Sequence, residues 1–304
     1  MSKKYLLPIS VAALIGLAVG AIFFMQISRI PQDAESGQTG SLKIVSSIYP
    51  LAFFTQQIVG DLGTVTTITP AGAEPHEYEL TSQDIARLEG ADVVVLNGAN
   101  LEPWAEKMTD SLRAQGVQVV EVSEGIATGT DPHIWLSPAL AKAGSAKISK
   151  TIASVDPLHV PIYQKNTQAL AGRLDALDAS YRAGLASCER KVFVTSHAAF
   201  GYLAAEYGLL QVPIAGLSPE TEPSGKQLAD IARFVKQQGV SVIFFETLLS
   251  PKLSQTIARE TGAAVMELNP LEGLTPDEVA AGKDYTSVMQ HNLRNLQTAL
   301  VCHQ

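Results

Sequence analysis

Three of the six histidines stand in short loops whose composition stiffens them or whose place follows an apolar run: Gly72-Ala-Glu-Pro-His76, Asp131-Pro-His133 and Thr195-Ser-His197. Pro75 and Pro132 fix φ immediately before a histidine, which restricts the loop that presents the ring. Imidazole is the commonest protein ligand for divalent transition metals. Any one of these histidines reads as an ordinary hydrogen-bonded residue, but three in such loops point to a metal site. A fourth ligand is expected from the same half of the chain as His197, and the candidate is Asp284 in Lys283-Asp-Tyr-Thr-Ser-Val-Met, at the start of the last helix. By itself an Asp in that place reads as a helix cap. His291 lies seven residues further on the same face, about 10 Å along the axis, too far to share an ion with Asp284. His159 and His303 read as solvated.

The elements that must position these loops alternate in type. LKIVSS (42–47), TVTTIT (64–69), DVVVLN (92–97) and VQVVEV (117–122) are short β-branched runs bounded by Gly, Pro, Asp or Asn. Leu51 to Gly60, Ser82 to Glu89 and Leu101 to Gln115 carry helical spacing between them. RKVFVTS (190–196), LQVPIA (210–215), VSVIFFE (240–246) and AAVMEL (263–268) repeat the pattern, with helices over Ala198 to Tyr207, Gly225 to Gln238 and Pro251 to Glu260. Such βαβ alternation predicts an α/β fold of two lobes, each with a four-stranded, mostly parallel sheet. Ligands of such sheets bind beyond the carboxyl ends of the strands, where His76 and His197 fall. Between the two sets, Leu170, Leu174, Leu177, Tyr181 and Leu185 recur at three- and four-residue spacing, which predicts one long bridging helix. The expected division is a leader over 1–40, a first metal-binding lobe over 41–155, a connecting helix over 156–187 and a second metal-binding lobe over 188–304.

The 304 residues carry 22 Lys and Arg against 30 Asp and Glu, a net charge of −8 with no basic cluster, so nucleic acid is excluded as a partner. No charged residue occurs between Lys4 and Arg29, and the polar stretch PQDAESGQTG (31–40) follows. This is an export signal of membrane-span length, read as a signal anchor with a tether or as a cleaved signal peptide, and it places the body outside the cytoplasm. Cys188 and Cys302 are the only cysteines, too few for a zinc ribbon and not spaced as a redox pair; in an oxidising compartment they are expected to form one disulfide.

KIVSSIYPLAFFTQQIVGD, AGAEPHEYELTSQDIARLEGADVVVLNG, DPHIWLSP, FVTSHAAFGYLAAEYGL, VIFFETLLSPKLSQTIARETGA and DYTSVMQHNL, in this order from about Leu42 to Leu300, resemble the zinc/manganese-binding solute-binding proteins of metal ABC importers, the cluster A-I (ZnuA-like) family. The resemblance implies two Rossmann-like lobes bridged by one long helix, a metal ion in the cleft, and His76, His133, His197 and Asp284 as its ligands. It turns Asp284 from a cap into a ligand. Two departures stand out: Glu121 to Asp131 lacks the His-rich loop of many zinc-specific members, and no lipid-attachment cysteine follows the apolar leader.

The resulting expectation is an extracytoplasmic, monomeric protein, not an enzyme, that captures Zn²⁺ as its transported ligand and passes it to an ABC permease. The alternatives are a manganese- or iron-specific member of the same family, a surface adhesin, or a zinc hydrolase. The hydrolase would need a base such as Glu74, Glu77 or Glu246 beside the ion and has no H-E-x-x-H motif.

Overall fold

A computed structural model describes residues 41–303 apart from Thr221. The export signal read from residues 1–40 lies outside the described residues. Among the described residues no helix is long and apolar enough to cross a membrane.

Two parallel four-stranded sheets form the frame. The first contains β1 (Leu42–Ser46), β2 (Gly63–Thr67), β3 (Val93–Leu96) and β4 (Gln118–Glu121) in the order β2-β1-β3-β4. The second repeats that order with β5 (Val192–Thr195), β6 (Leu210–Pro213), β7 (Val242–Phe245) and β8 (Ala264–Glu267), arranged β6-β5-β7-β8. Every pairing is parallel, with Leu42 opposite Gly63, Val93 opposite Gln118 and Val194 opposite Ile243 among the register pairs. The sequence shows why the order is as it is. Val93 to Leu96 is apolar at every position and wholly buried, as a strand covered on both faces must be, whereas edge strands β4 and β8 are polar or half exposed.

Helices cover both faces: α1 (Tyr49–Val59), α2 (Ser82–Glu89), α3 (Ala105–Ala114), α4 (Pro138–Val155), α5 (Val160–Leu185), α6 (Gly201–Glu206), α7 (Gly225–Gln238), α8 (Lys252–Thr261), α9 (Pro276–Ala280) and α10 (Tyr285–Leu300). Thr81 and Ser224 start α2 and α7 with capping boxes, each side chain taking an amide three residues on. Helix α4 is not predicted from the sequence spacing. Its apolar residues are small or sparse, and only Ala141, Ile148 and Ile152 give it a buried apolar stripe.

Helix α5 is the long helix expected, 26 residues or about 39 Å at helical rise. It buries Tyr163, Leu170, Leu174, Leu177, Tyr181 and Leu185. Its first turns bond to α1 and α4, through Asn166 Nδ2 to the Ile58 carbonyl and Thr167 Oγ1 to Ser149 Oγ. Its last turns meet α10, where the Tyr181 hydroxyl donates to the Met289 carbonyl. Gly184 permits that approach, since a Cβ there would lie 2.6 Å from Gln297 Nε2. One apolar cluster therefore runs from Ile44 through Leu174 and Tyr181 to Phe244. Cys188 and Cys302 are joined in a disulfide, and the backbone pairs beside it, Glu189 N to Val301 O and Arg190 N to Leu300 O, tie the chain's end to the run into β5.

Candidate metal centre

Each histidine has its backbone amide held by a carboxylate, from its own loop for His76 and His133 and from the end of a neighbouring strand for His197. His76 lies in a short 3₁₀ turn, Pro75–Glu77, whose cap Glu74 accepts the His76 amide on Oε1 at 3.3 Å. Asp131 does the same two residues before His133: its Oδ1 takes the His133 amide at 3.0 Å and faces ring Nδ1 at 2.7 Å. Asn97, just beyond β3, donates Nδ2 to the Pro132 carbonyl at 2.9 Å and fixes the same loop to the first sheet. His197 lies two residues past β5. Glu246, the residue after β7, accepts its amide on Oε1 at 3.1 Å and faces Nδ1 with Oε2 at 2.7 Å.

The three rings then converge. Their Nε2 atoms surround Oε1 of Glu272, at 3.3 Å from His76, 3.1 Å from His133 and 3.2 Å from His197, and the His133 and His197 Nε2 atoms are 3.3 Å apart. One ligand atom from each of the four residues lies within 4.8 Å of the others, and this is the metal-competent cluster found among the described residues. A carboxylate on Nδ1 holds the Nδ1–H tautomer of His133 and His197, which leaves the Nε2 lone pair of the neutral ring free for an ion. His133, His197 and Glu272 are sealed, with 0%, 0% and 1% of their side chains exposed, while His76 keeps 6%.

Burial shapes the charges. Burial pulls the His197 imidazolium down, but the Glu246 and Glu272 carboxylates outweigh it and hold its pKa well above that of a free histidine. His133 is raised for the same reasons, burial opposing and the bonds to Asp131 and Glu272 prevailing. Burial disfavours the Glu272 anion, yet His197 and the three imidazole hydrogen bonds keep it well below the usual carboxylate range. Glu74 goes the other way: burial first and the Glu272 charge second push it up to about 9, and its Oε2 is buried with no partner.

His76, His133 and His197 are thus brought together, and Asp284 is not with them. Asp284 is the N-cap of α10, its Oδ1 accepting the Ser287 amide at 2.7 Å while Ser287 Oγ takes the Asp284 amide at 2.8 Å. The helix start that made it a candidate consumes its carboxylate. The carboxylate in the cluster is Glu272, in Asn269-Pro-Leu-Glu-Gly, a residue not expected as a ligand from the sequence. The available signal was the strand-end rule itself, since Glu272 follows β8 as His197 follows β5. His291 and His303 lie in half-exposed or exposed positions away from the cluster, and His159 pairs with Asp156 at 2.6 Å.

The comparisons with known proteins agree with this geometry. The family described as "Zinc-uptake complex component A periplasmic" matches residues 44–299. The chain is 37% identical over 310 residues to the high-affinity zinc uptake system protein ZnuA of Bacillus subtilis, across 94% of this chain and 97% of that one. It is 38% identical to the zinc-binding lipoprotein AdcA of Streptococcus pneumoniae, covering 85% of this chain but 56% of that longer protein. The crystal structure of the Zn(II)-bound ZnuA-like domain of AdcA superposes with a TM-score of 0.77 at 39% identity, over 86% of this chain and 99% of the domain. The laminin-binding protein of Streptococcus agalactiae, described as bifunctional with adhesin and metal-transporting activity, gives 0.78 at 34% identity over 85% and 99%. With two sheets of one order, a long helix packed against helices of both halves and a three-imidazole, one-carboxylate cluster, the chain belongs to the ZnuA family of zinc-uptake proteins.

Proposed function

We propose that the protein captures Zn²⁺ outside the cytoplasm, in a cleft between a first lobe (41–155) and a second (188–304) joined by the helix between them, and delivers it as a monomer to an ABC permease. The ligands in this reading are Nε2 of His76, His133 and His197 and a carboxylate oxygen of Glu272. The observation that carries it is the convergence of these four side chains within 4.8 Å, two from each half of the chain. Three nitrogens and one carboxylate suit tetrahedral zinc, whereas manganese prefers more oxygen donors and a higher coordination number. The relatives named for zinc uptake support the same cargo.

The family comprises metal-binding transport proteins, not enzymes. The side chains a hydrolase would need agree with that: both oxygens of Glu246 are engaged by His197, and Glu74 caps the His76 turn.

Chelator-competition titration and zinc X-ray absorption test the reading. One high-affinity site with nitrogen neighbours at about 2.0–2.1 Å is expected. Unchanged affinity in both His76→Ala and Glu272→Ala would overturn it. The likeness to the S. agalactiae protein puts matrix adhesion forward as a second activity. Zinc-independent retention of this chain on immobilised laminin would bear that out. The mass of the mature protein decides the attachment: retention of residues 1–40 means a signal anchor, and a start near Gln32 a cleaved signal.

A further inference from the structure

Glu272 sits on a loop that is held in a costly conformation. Leu271, immediately before it, has φ +58°, in the left-handed region that side chains other than Gly and Asn rarely occupy. Leu271 is fully buried, so no freedom of its side chain relieves that backbone. A strained residue persists only where its surroundings determine it from several sides.

Those surroundings centre on one residue of the last helix. Asn292, fully buried in α10, reaches the backbone of Asn269 in both directions: its Oδ1 accepts the Asn269 amide at 2.9 Å and its Nδ2 donates to the Asn269 carbonyl at 2.6 Å. Asn269, itself 1% exposed, passes the constraint on. Its Oδ1 accepts the Leu271 amide at 2.7 Å, and its Nδ2 donates to Glu278 Oε1 at 3.2 Å. On the far side Trp135 Nε1 donates to the Pro270 carbonyl at 2.7 Å, and the Gly72 amide to the Leu274 carbonyl at 2.9 Å. An Asn side chain, with its carbonyl acceptor and amide donor side by side, satisfies both backbone atoms of Asn269 at once. A buried pair of this kind leaves two unpaired backbone groups if it is removed.

We infer that Asn292, acting through Asn269, is a positioning residue for metal binding: it fixes the backbone that aims the Glu272 carboxylate at the three imidazoles. The inference rests on Glu272 being a ligand, and the test separates the two. Zinc affinity is measured by chelator competition for Asn292→Ala, Glu272→Ala and the double variant, and the Co²⁺-substituted proteins are compared by visible absorption. Asn292→Ala is expected to weaken zinc binding by about tenfold or more, the range seen when outer supports of a ligand are lost. In the Glu272→Ala background it should change the affinity little, because the group it aims is gone. The Co²⁺ spectrum of Asn292→Ala should approach that of Glu272→Ala. If Asn292→Ala does not fold, Asn269→Ala, which keeps the α10 surface and frees only the Leu271 amide and Glu278, goes through the same cycle. An equal loss in both backgrounds, or no loss in a folded variant, overturns the inference while leaving Glu272 a ligand. No effect of Glu272→Ala on zinc overturns both.

Discussion

At the scale of single residues, two carboxylates compete for one role. Glu272→Ala should reduce zinc affinity by at least about tenfold, near 1.4 kcal/mol. Asp284→Ala should leave affinity unchanged and cost about 1 kcal/mol of stability, as loss of an N-cap does. Parallel titration and denaturant melts of the two variants check both outcomes. Legibility at this scale divides along chemistry. The histidines could be read because proline or a strand end marks each loop and because three imidazoles recur in such places, where one alone reads as structural. Glu272 could not be picked out by type, since the chain has 30 acidic residues and a carboxylate in a loop is ordinarily solvated. Asp284 drew attention for the very feature that occupies it: a helix start is recognisable in sequence because an acidic cap belongs there. The carboxylates behind the rings matter as well. Glu246→Gln keeps the shape but alters the partner of His197 Nδ1, and zinc affinity should fall about 10- to 100-fold with the ligand set intact. Zinc X-ray absorption showing an unchanged shell at reduced affinity is the expected signature. His197→Glu, which trades a nitrogen for oxygen, should narrow the zinc-to-manganese affinity ratio.

At the scale of elements, strands were the most legible part, because parallel strands buried on both faces must be short continuous β-branched runs. Seven of the eight fall within the runs identified from sequence and β2 begins one residue early, at Gly63, with the other ends matched or trimmed by one or two residues. Helix α4 was not, since it faces the sheet through small residues and a weak periodicity, with its place fixed by tertiary contact. Gly144, where a Cβ would come 2.7 Å from Val122 Cγ1, shows how close that contact is. The long helix shows the same principle at its other end. Gly184→Val should force α5 away from Gln297 and Leu293 of α10 and cost about 1–3 kcal/mol. Because α10 also carries Asn292, this variant should lose zinc affinity along with stability, whereas a surface change on α5 such as Lys165→Ala should alter neither. The disulfide joins the segments that follow α5 and α10, just past Leu185 and Leu300. Replacing Cys188 and Cys302 by Ser should lower stability by about 2–5 kcal/mol, read as a shift of the denaturant midpoint without reductant.

For the molecule as a whole, the cluster couples stability to pH with opposite signs in the two states. Without metal, the folded protein holds protons on His133 and His197 above the pH at which free histidine releases them. Folding is then favoured below about pH 6.5 and loses that contribution as pH rises through the raised folded values. With zinc bound the rings must be neutral, so protons compete with the ion and stabilisation by metal grows as pH rises. Thermal melts from pH 6 upward should therefore show the metal-free midpoint falling and the gap to the zinc-loaded protein widening. Parallel curves would mean that the imidazoles do not exchange protons for the ion. The two halves of the chain are joined by more than α5: Tyr202 bonds to the Thr128 and Asp131 carbonyls, Trp135 to Pro270, and Gly72 to Leu274. The unequal exposure of the four ligand candidates then has a kinetic meaning. Three are sealed, while the His76 ring keeps 6% exposure, on a turn linked to the other half by the Gly72 amide and by its own Nε2 facing Glu272. Under the proposed function an ion can reach the His76 ring without displacing a sealed side chain, so metal exchange is expected to depend on the six-residue loop Gly72 to Glu77.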